Sequence, residues 1–494
     1  MGRVWAVMRR VAVPAACAAV VLVASLVPAA AAPPPGPDRG AVDRFLADAL
    51  RTTRLPGMAV AITRGPKVVH VAGSGTDGRG GSVTPHTQFR IASLTKSFTA
   101  AAVLQLVAAG RVDLDAPVQT YLPGFTSADP ASGARITVRH LLNQTSGIAD
   151  TGFPEVTDSE HDLAQRMASM RSARLVSSPG SEFHYSDLNY QVLASLIEAV
   201  TGTPWAQHLA EHVFVPLGMR RTVATAAAEQ AGRAAPDLAQ GHVLVFGTPV
   251  ARPELDGLVA GSTGVVSTAE DMARWLVANS AGGGALLPPE MVTLMQTPPR
   301  DVPGDYGMGW QVVTPEQGPR RIEHTGVLST FSAVQVLLPD SGYGFALLFD
   351  GNSALADTAG LAAGLAALLA GRGGVDAPRS TLLVGAVLGG ACAVVLVART
   401  RSLLRLPRWR RRRAGRPGWR AVPGLVWLLL PVVLLAALPA IVRLAAGRSF
   451  TFWQLCLAMP DLVILLAVAA LTGTAVAAAR VVTLARRDRG RETT

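Results

Sequence analysis

Three apolar stretches near the C-terminus constrain this chain more than any other feature of its sequence. They cover about residues 381–398, 421–441 and 460–479. Each has close to the ~20 residues that a helix needs to cross the hydrocarbon core of a bilayer. The mean hydropathy of the chain, +0.33, is unusual for a protein folded only in water. We therefore predict a membrane region over 376–494 with three spanning helices.

The arginines around these stretches predict their orientation. Ten lie within 399–420 and five within 480–491, whereas the connection between the second and third stretches holds only Arg443 and Arg448. Because basic loops tend to stay in the cytoplasm, we expect the 399–420 loop and the C-terminal tail to be cytoplasmic. Three crossings then place residues 33–375 outside. The chain is predicted to be a multi-pass protein of the cell membrane with an extracytoplasmic domain.

Residues 1–32 have the features of a secretory signal peptide, which agrees with that topology. Arg3, Arg9 and Arg10 precede an apolar run that ends in three alanines at 30–32. An uncleaved anchor helix remains the alternative interpretation of this segment.

The distribution of charge argues against a nucleic-acid partner. The net charge is +11, but residues 399–494 carry +14 and the first 32 residues carry +3, which leaves −6 for the rest. The basic residues therefore flank apolar segments, and the large central region is acidic. This pattern indicates a lipid membrane as partner, with no nucleic acid.

The region 33–375 is predicted to form one α+β domain. Apolar residues recur at helical spacing over 93–109 and 188–200. Strand-like runs lie near both ends of the region, at 58–63, 68–72, 321–325, 331–338 and 343–349. Strands at both ends favour an antiparallel sheet flanked by helices, with a helical subdomain between them.

The sharpest chemical feature is Ser93, followed one helical turn later by Lys96. Residues at i and i+3 share a helix face, so the hydroxyl and the amine can meet. A serine at the start of a helix also has free backbone N–H groups nearby that can stabilise an oxyanion. Lys96 and Lys67 are the only lysines among 45 basic residues. Arginine cannot lose its proton, so a lysine kept against this bias predicts a neutral amine that activates Ser93.

Two further short motifs carry polar side chains at predicted element ends. Tyr185 and Asp187 precede the helix at 188–200, where Asp187 could also serve as a helix cap. His324, Thr325 and Gly326 lie on a predicted strand, where glycine permits the close approach of a substrate backbone.

In their order and spacing these three motifs resemble the serine β-lactamase and penicillin-binding protein superfamily. The resemblance is greatest to class C β-lactamase-like serine hydrolases and D-alanyl-D-alanine carboxypeptidases, and it covers about residues 40–370. Further segments carry it, namely 141–148 (LLNQTSGI), 216–219 (PLGM), 264–269 (GVVSTA) and 306–310 (YGMGW). It implies a β-lactamase/transpeptidase-like fold and hydrolysis through an acyl-enzyme, with no cofactor.

The resemblance also assigns roles to residues. Ser93 is similar to the acylated nucleophile, Lys96 to the amine that activates it, and Tyr185 to the phenol that shuttles protons. Which of Lys96 and Tyr185 is the base stays open. The backbone N–H groups of Ser93 and Val327 would form the oxyanion hole, with Gly326 beside them. The expected substrate is a small molecule or peptide, including peptidoglycan-derived D-alanyl peptides, esters and β-lactams.

Two substrate-binding positions depart from the family pattern. Asp187 stands where many members have asparagine, and a carboxylate cannot donate the hydrogen bond of an amide. His324 stands where β-lactamases have lysine. With an ordinary pKa of ~6.5 it would titrate in mild acid and bind a substrate carboxylate only there. Both departures argue against a dedicated β-lactamase.

Three other interpretations compete. His208, Glu211 and His212 match an inverted zinc-peptidase pattern, but they also fit an ordinary exposed helix face, so we predict no metal. The Gly-x-Ser-x-Gly pattern of α/β-hydrolases does not occur. A non-hydrolytic protein that senses β-lactams or cell-wall fragments remains the alternative function.

Overall fold

The structure is a computed structural model and describes residues 39–151, 162–280, 284, 286–316, 318–354, 356–372, 381–414, 418–446 and 449–489. The predicted signal peptide at 1–32 and the predicted boundary at residue 375 lie outside these residues.

A six-stranded antiparallel sheet forms the centre of the domain, as predicted. Its strands are β1 (Gly57–Arg64), β2 (Lys67–Gly75), β8 (Gln311–Val313), β9 (Arg321–Val327), β10 (Ser332–Leu338) and β11 (Tyr343–Phe349). Their order is β2-β1-β11-β10-β9-β8, so strands from both ends of the domain lie side by side. Strands β1 and β11 come from nearly opposite ends of the domain's sequence, and they are neighbours in the sheet.

The other described strands form two smaller three-stranded sheets. One joins β3 (Phe89–Arg90), β7 (Val265–Ser267) and β4 (Val223–Ala224), and the other joins β12 (Gly351–Asn352), β5 (His242–Val245) and β6 (Thr248–Ala251). Strand β3 leads directly into the turn that carries Ser93.

Eleven helices are described in the domain: α1 (Arg39–Thr53), α2 (Thr95–Ala108), α3 (Pro130–Gly133), α4 (Val138–Leu142), α5 (Leu163–Ser169), α6 (Asp187–Thr201), α7 (Trp205–Leu209), α8 (Ala231–Ala234), α9 (Ala269–Asn279), α10 (Pro289–Met295) and α11 (Thr358–Leu369). Helices α3 to α7 form the predicted helical subdomain. Helices α1 and α11 cover one face of the large sheet, and α2 and α9 cover the other.

The central strands are apolar at nearly every position because both faces of the sheet are covered. In β11, Phe345 and Leu347 pack towards α1 and α11, whereas Ala346 and Leu348 pack towards α2 and α9. Side chains alternate between the faces of a strand, so a continuous apolar run fits a strand buried on both sides.

A polar network fixes α2 on the sheet. Phe98 of α2 stacks on Trp275 of α9 with 3.8 Å between ring centroids. The Trp275 indole N–H donates to Gln335 on β10 (3.1 Å), and the Gln335 amide donates to Ser97 (3.0 Å). These contacts hold the helix that carries Lys96 in one position against β10.

Five helices follow the domain: α12 (Thr381–Leu404), α13 (Leu406–Arg412), α14 (Val422–Ala446), α15 (Phe452–Ala458) and α16 (Pro460–Arg489). Three of them, α12, α14 and α16, are long and apolar enough to cross a membrane. They lie at the three predicted stretches. A Cβ at Gly473 would lie 2.2 Å from the Leu428 carbonyl oxygen, so glycine permits the close approach of α14 and α16.

Candidate active site

Ser93 lies in a tight turn at the start of α2. A single 3-10 turn, Ala92–Leu94, connects β3 to the helix. Ala92 has a φ of +51°, a conformation that an alanine adopts only under constraint from its surroundings. Ser93 therefore stands at the N-terminal end of a buried helix, with 8% of its surface exposed.

Lys96 is fully buried directly below Ser93. Its Nζ donates hydrogen bonds to Ser93 Oγ (3.1 Å), to the Ser262 carbonyl oxygen (3.2 Å) and to the Asp187 carboxylate. A lysine ammonium group has three N–H donors, and these three acceptors match them. The three contacts satisfy every donor of a charged lysine.

The electrostatic surroundings also favour the charged form of Lys96. Burial by itself would lower the pKa of Lys96, but the Asp187 carboxylate and Tyr185 outweigh it, so the pKa lies above its ordinary value. This direction favours a charged Lys96 in the protein without substrate, whereas the sequence-based expectation was a neutral amine. The expectation took account of Ser93 but not of the negative charge that Asp187 brings to the amine.

Asp187 begins α6 but does not cap it. Ser186 is the N-cap, and its hydroxyl accepts the Leu188 N–H at 3.2 Å. The side-chain Oε1 of Gln144 accepts from the Ser186 N–H (3.0 Å) and the Asn189 amide (2.5 Å), which ties the start of α6 to the loop after α4. The carboxylate of Asp187 is thereby left to pair with Lys96.

Tyr185 lies over the amine. Its ring centroid is 4.9 Å from Lys96 Nζ, 6.0 Å from the Tyr306 ring and 6.1 Å from the His324 ring. Ser93, Lys96, Tyr185 and Asp187 thus come together, as the three motifs predicted. Tyr306 belongs to one of the segments that carry the family resemblance, but its contacts with Tyr185 and His324 were not predicted.

His324 differs from its expected behaviour. It is 5% exposed, and both ring nitrogens have partners: Nδ1 lies 2.7 Å from the Thr325 carbonyl oxygen and Nε2 lies 3.1 Å from the Tyr306 hydroxyl. A carbonyl can only accept, so Nδ1 carries the proton and Nε2 accepts from Tyr306. Burial, followed by the nearby Lys96 charge, lowers the pKa of His324 to about 3. It is therefore neutral in mild acid, and both ring nitrogens are engaged within the protein.

Gly326 also has a role within the protein. A Cβ at this position would lie 2.4 Å from the Ile91 carbonyl oxygen, so glycine lets β9 pack against the turn that carries Ser93. Its predicted close approach to a substrate backbone stays a prediction. The next residue, Val327, is 59% exposed at the end of β9.

A cavity of about 370 Å³, within the range of small-molecule sites, is lined in part by two of the predicted site residues. Asp187, Ser262 and Val327 contribute to its lining. A second cavity of about 400 Å³, lined partly by α10, includes none of the predicted site residues.

The histidine pair of the zinc interpretation lies elsewhere. His208 is 4% exposed, and its ring centroid is 4.4 Å from that of His212. Burial, together with the charges of His212 and Arg111, lowers the pKa of His208 to about 4. Within the described ranges, no three His, Cys, Asp or Glu side chains are grouped to hold a metal ion.

Comparison with known proteins gives a consistent result. Residues 42–370 match the family described as Beta-lactamase. The protein Flp of Staphylococcus aureus (strain MW2) is 29% identical over 326 residues, 63% of each chain. The D-alanyl-D-alanine-carboxypeptidase/endopeptidase AmpH of Escherichia coli (strain K12) is 28% identical over 61% of this chain and 81% of its own. The octameric penicillin-binding protein homologue from Pyrococcus abyssi superposes with a TM-score of 0.59 at 25% identity, over 68% of this chain and 78% of its own.

Proposed function

This chain belongs to the Beta-lactamase family, and from that premise we propose that it is a membrane-anchored serine hydrolase that acts through an acyl-enzyme on Ser93. The observation that carries the proposal is the 3.1 Å contact between Lys96 Nζ and Ser93 Oγ at the start of a buried helix beside a cavity. Because this chain spans 63% of the length of the Flp relative, that protein's properties are not transferred as a whole.

In acylation, Ser93 Oγ attacks the substrate carbonyl carbon, and the carbonyl electron pair moves to oxygen to form the oxyanion. The backbone N–H groups of Ser93 and Val327 stabilise this charge. The hydroxyl proton passes to a base, the oxyanion collapses, and the leaving group departs with a proton. Water then attacks the acyl-enzyme and restores Ser93.

The base is Lys96 or Tyr185. All three Lys96 N–H groups are engaged, so Lys96 can accept the Ser93 proton only after it passes one proton to Asp187. Tyr185, which lies over the amine, is the other candidate. In either route, Asp187 controls the proton on Lys96 and Ser93 becomes acylated.

The substrate class is a peptide, ester or β-lactam. Neutral ester and amide acyl donors fit the site best, because His324 provides no cation for a substrate carboxylate. Asp187 likewise cannot donate to the carbonyl of an acyl side chain. Both features argue against a dedicated β-lactamase, and the first also favours neutral esters over D-alanyl peptides, which end in a carboxylate.

One observation also favours the alternative, a non-hydrolytic binding or sensing protein. A lysine held in its charged form is a poor base for activating the deacylating water. If the Lys96–Asp187 pair persists after acylation, the acyl-enzyme will be long-lived and suited to sensing.

We also propose an extracytoplasmic location for the domain. Its support is the arginine distribution around α12, α14 and α16 and the predicted signal peptide. In agreement with this topology, the connection between α14 and α16 contacts the domain, where Ser449 N–H donates to the Asp150 carboxylate at 2.8 Å.

The test is intact-mass analysis of the full-length protein in detergent after incubation with an ester, a D-alanyl peptide and a penicillin. An adduct that maps to Ser93 and decays within minutes supports a hydrolase, and one that persists for hours supports the sensing alternative. An adduct on another serine, together with full reactivity of Ser93→Ala, rules out both proposals.

A further inference from the structure

The cavity beside the Lys96–Asp187 pair has walls from two distant parts of the chain. The domain contributes one side, and the connection between α14 and α16 contributes the other. We call residues 449–458 of this connection the C-terminal wall. Four of its residues line the cavity: Ser449, Phe450, Gln454 and Ala458.

The C-terminal wall is attached to the domain at both ends. At its start, the Ser449 N–H donates to the Asp150 carboxylate at 2.8 Å, next to a hydrogen bond from Arg443 to the Thr151 carbonyl (3.0 Å). At its end, the Ala458 carbonyl accepts the Ala354 N–H at 2.9 Å. The first attachment uses the Asp150 and Arg443 side chains, and the second joins two backbone groups, so both ends of the wall are fixed to the domain.

The wall also has a defined local structure. The Thr451 hydroxyl accepts the Gln454 N–H (3.2 Å), and the Gln454 side chain accepts the Thr451 N–H (2.8 Å). This capping box starts α15 and fixes the segment next to Phe450. The Thr-x-x-Gln pattern is visible in the sequence, but nothing local indicates that it faces the site.

The cavity between the two walls is suited to an apolar group. Val327 and Leu328 line the domain side and Phe450 lines the other side. Glu254, a carboxylate of the lining, already accepts the N–H groups of Ser329 (3.1 Å) and Thr330 (2.9 Å). Much of its hydrogen-bonding capacity is therefore used within the protein. Other polar side chains, Gln191 and Asp256 among them, also line the cavity, but apolar atoms supply most of its exposed surface.

We infer that the C-terminal wall forms a subsite for an apolar acyl chain, and that the preferred substrate is an amphiphilic ester or amide supplied from the membrane surface. This rests on the proposed acylation of Ser93. The wall connects two helices that can span a bilayer, so it lies where such helices leave the membrane. The carbonyl would lie at Ser93 while the chain extends past Val327 to Phe450.

The test uses the full-length protein in phospholipid nanodiscs with 4-nitrophenyl acetate, butyrate, hexanoate and octanoate. In the wild type we expect kcat/KM to rise about three- to fourfold per methylene while the chain fits the cavity. Phe450→Ala should lose at least ~10-fold on hexanoate and change acetate turnover less than ~3-fold. Phe452→Ala is the matched control, because Phe452 is on the same segment, 42% exposed and outside the lining.

A second variant covers the case in which Phe450→Ala disturbs folding. Ala458→Trp fills the cavity and should abolish the preference for long chains while acetate is still hydrolysed. If both variants retain the wild-type dependence on chain length, the subsite inference is wrong. Equal octanoate turnover in nanodiscs and in lipid-free amphipol would overturn the supply from the membrane.

Binding separates this inference from the proposed function. Ser93→Ala protein, titrated calorimetrically with octanamide and acetamide, should bind octanamide more tightly, and the added change Phe450→Ala should remove the difference. Chain-dependent binding to Ser93→Ala, combined with a wild-type protein that forms no acyl-enzyme, would uphold the subsite and refute the hydrolase. Acylation of Ser93 without chain-dependent binding would do the reverse.

Discussion

Lys96 and Asp187 form an ion pair beneath Ser93, with the amine fully buried and the side chain of the acid one-fifth exposed. The pair stabilises the charged amine against the cost of its burial. Ser93 therefore receives a hydrogen bond from an ammonium group, which stabilises a developing alkoxide but cannot remove its proton. Catalysis then depends on where the proton shared by Lys96 and Asp187 resides.

Replacing Asp187 by asparagine should increase the fraction of Lys96 that is neutral at a given pH. Without the carboxylate, burial dominates and the pKa of Lys96 falls. The acidic limb of the kcat/KM profile for a neutral ester should therefore shift to lower pH. Asp256→Asn is the matched control, since Asp256 lines the same cavity. An unshifted limb in Asp187→Asn would show that Lys96 does not control the rate.

Lys96→Arg should be nearly as inactive as Lys96→Ala. Arginine stays protonated at any usable pH and cannot exchange a proton with Ser93. We expect a loss of ~10²–10⁴-fold in kcat for both variants. Lys67→Arg, at the exposed start of β2, should have no effect. High activity in Lys96→Arg would mean that the position needs only positive charge.

Ser93→Ala should lose at least ~10³-fold in turnover, as expected for an essential nucleophile. A fluorophosphonate probe should label wild-type protein on Ser93 and leave the variant unlabelled. Peptide mapping by mass spectrometry checks the site. Ser97 lies one turn away, donates to Leu94 and is buried, so Ser97→Ala serves as the control for damage to the helix.

His324 should not titrate between pH 5.5 and 8.5, because its pKa is lowered to about 3. The ratio of kcat/KM for a neutral ester to that for a matched carboxylate substrate should therefore stay constant over this range, provided the substrates do not titrate. A ratio that changes through pH 6.5 would show an exposed, titrating histidine.

The same residue should make stability depend on pH. Above ~6.5 histidine is neutral in both the folded and the unfolded protein, so His324 contributes no slope there. Between ~6.5 and about 3 only the unfolded state binds the proton, so stability should fall as pH falls through this window. Denaturant unfolding of the detergent-solubilised protein at pH 7 and 5 should show a smaller difference for His324→Gln than for wild type.

The domain should be accessible from outside the cell and the C-terminus should not. Protease added to spheroplasts is expected to digest the domain and spare a C-terminal tag, because both arginine-rich segments are predicted to be cytoplasmic. Lysed spheroplasts provide the control in which the tag is digested. Loss of the tag in intact spheroplasts would contradict the charge argument.

The sequence was sufficient for features that depend on neighbours along the chain. Ser93 and Lys96 are three residues apart, across a 3-10 turn and the first turn of α2, so their contact follows from helical geometry. The length of an apolar stretch likewise indicates whether a helix can cross a bilayer, and α12, α14 and α16 lie at the predicted stretches. The antiparallel sheet followed from apolar runs at both ends of the domain.

Only the tertiary structure decided the protonation and surroundings of the site. Asp187 is 91 positions from Lys96, and Tyr306 is 18 positions from His324. A pKa depends on burial and on charges within a few ångströms, and neither quantity can be obtained from one motif alone. Phe450 belongs to the connection between two C-terminal helices, yet it lines the cavity beside Asp187. Local patterns determine elements, whereas packing between distant elements determines which charges meet and which side chains surround a substrate.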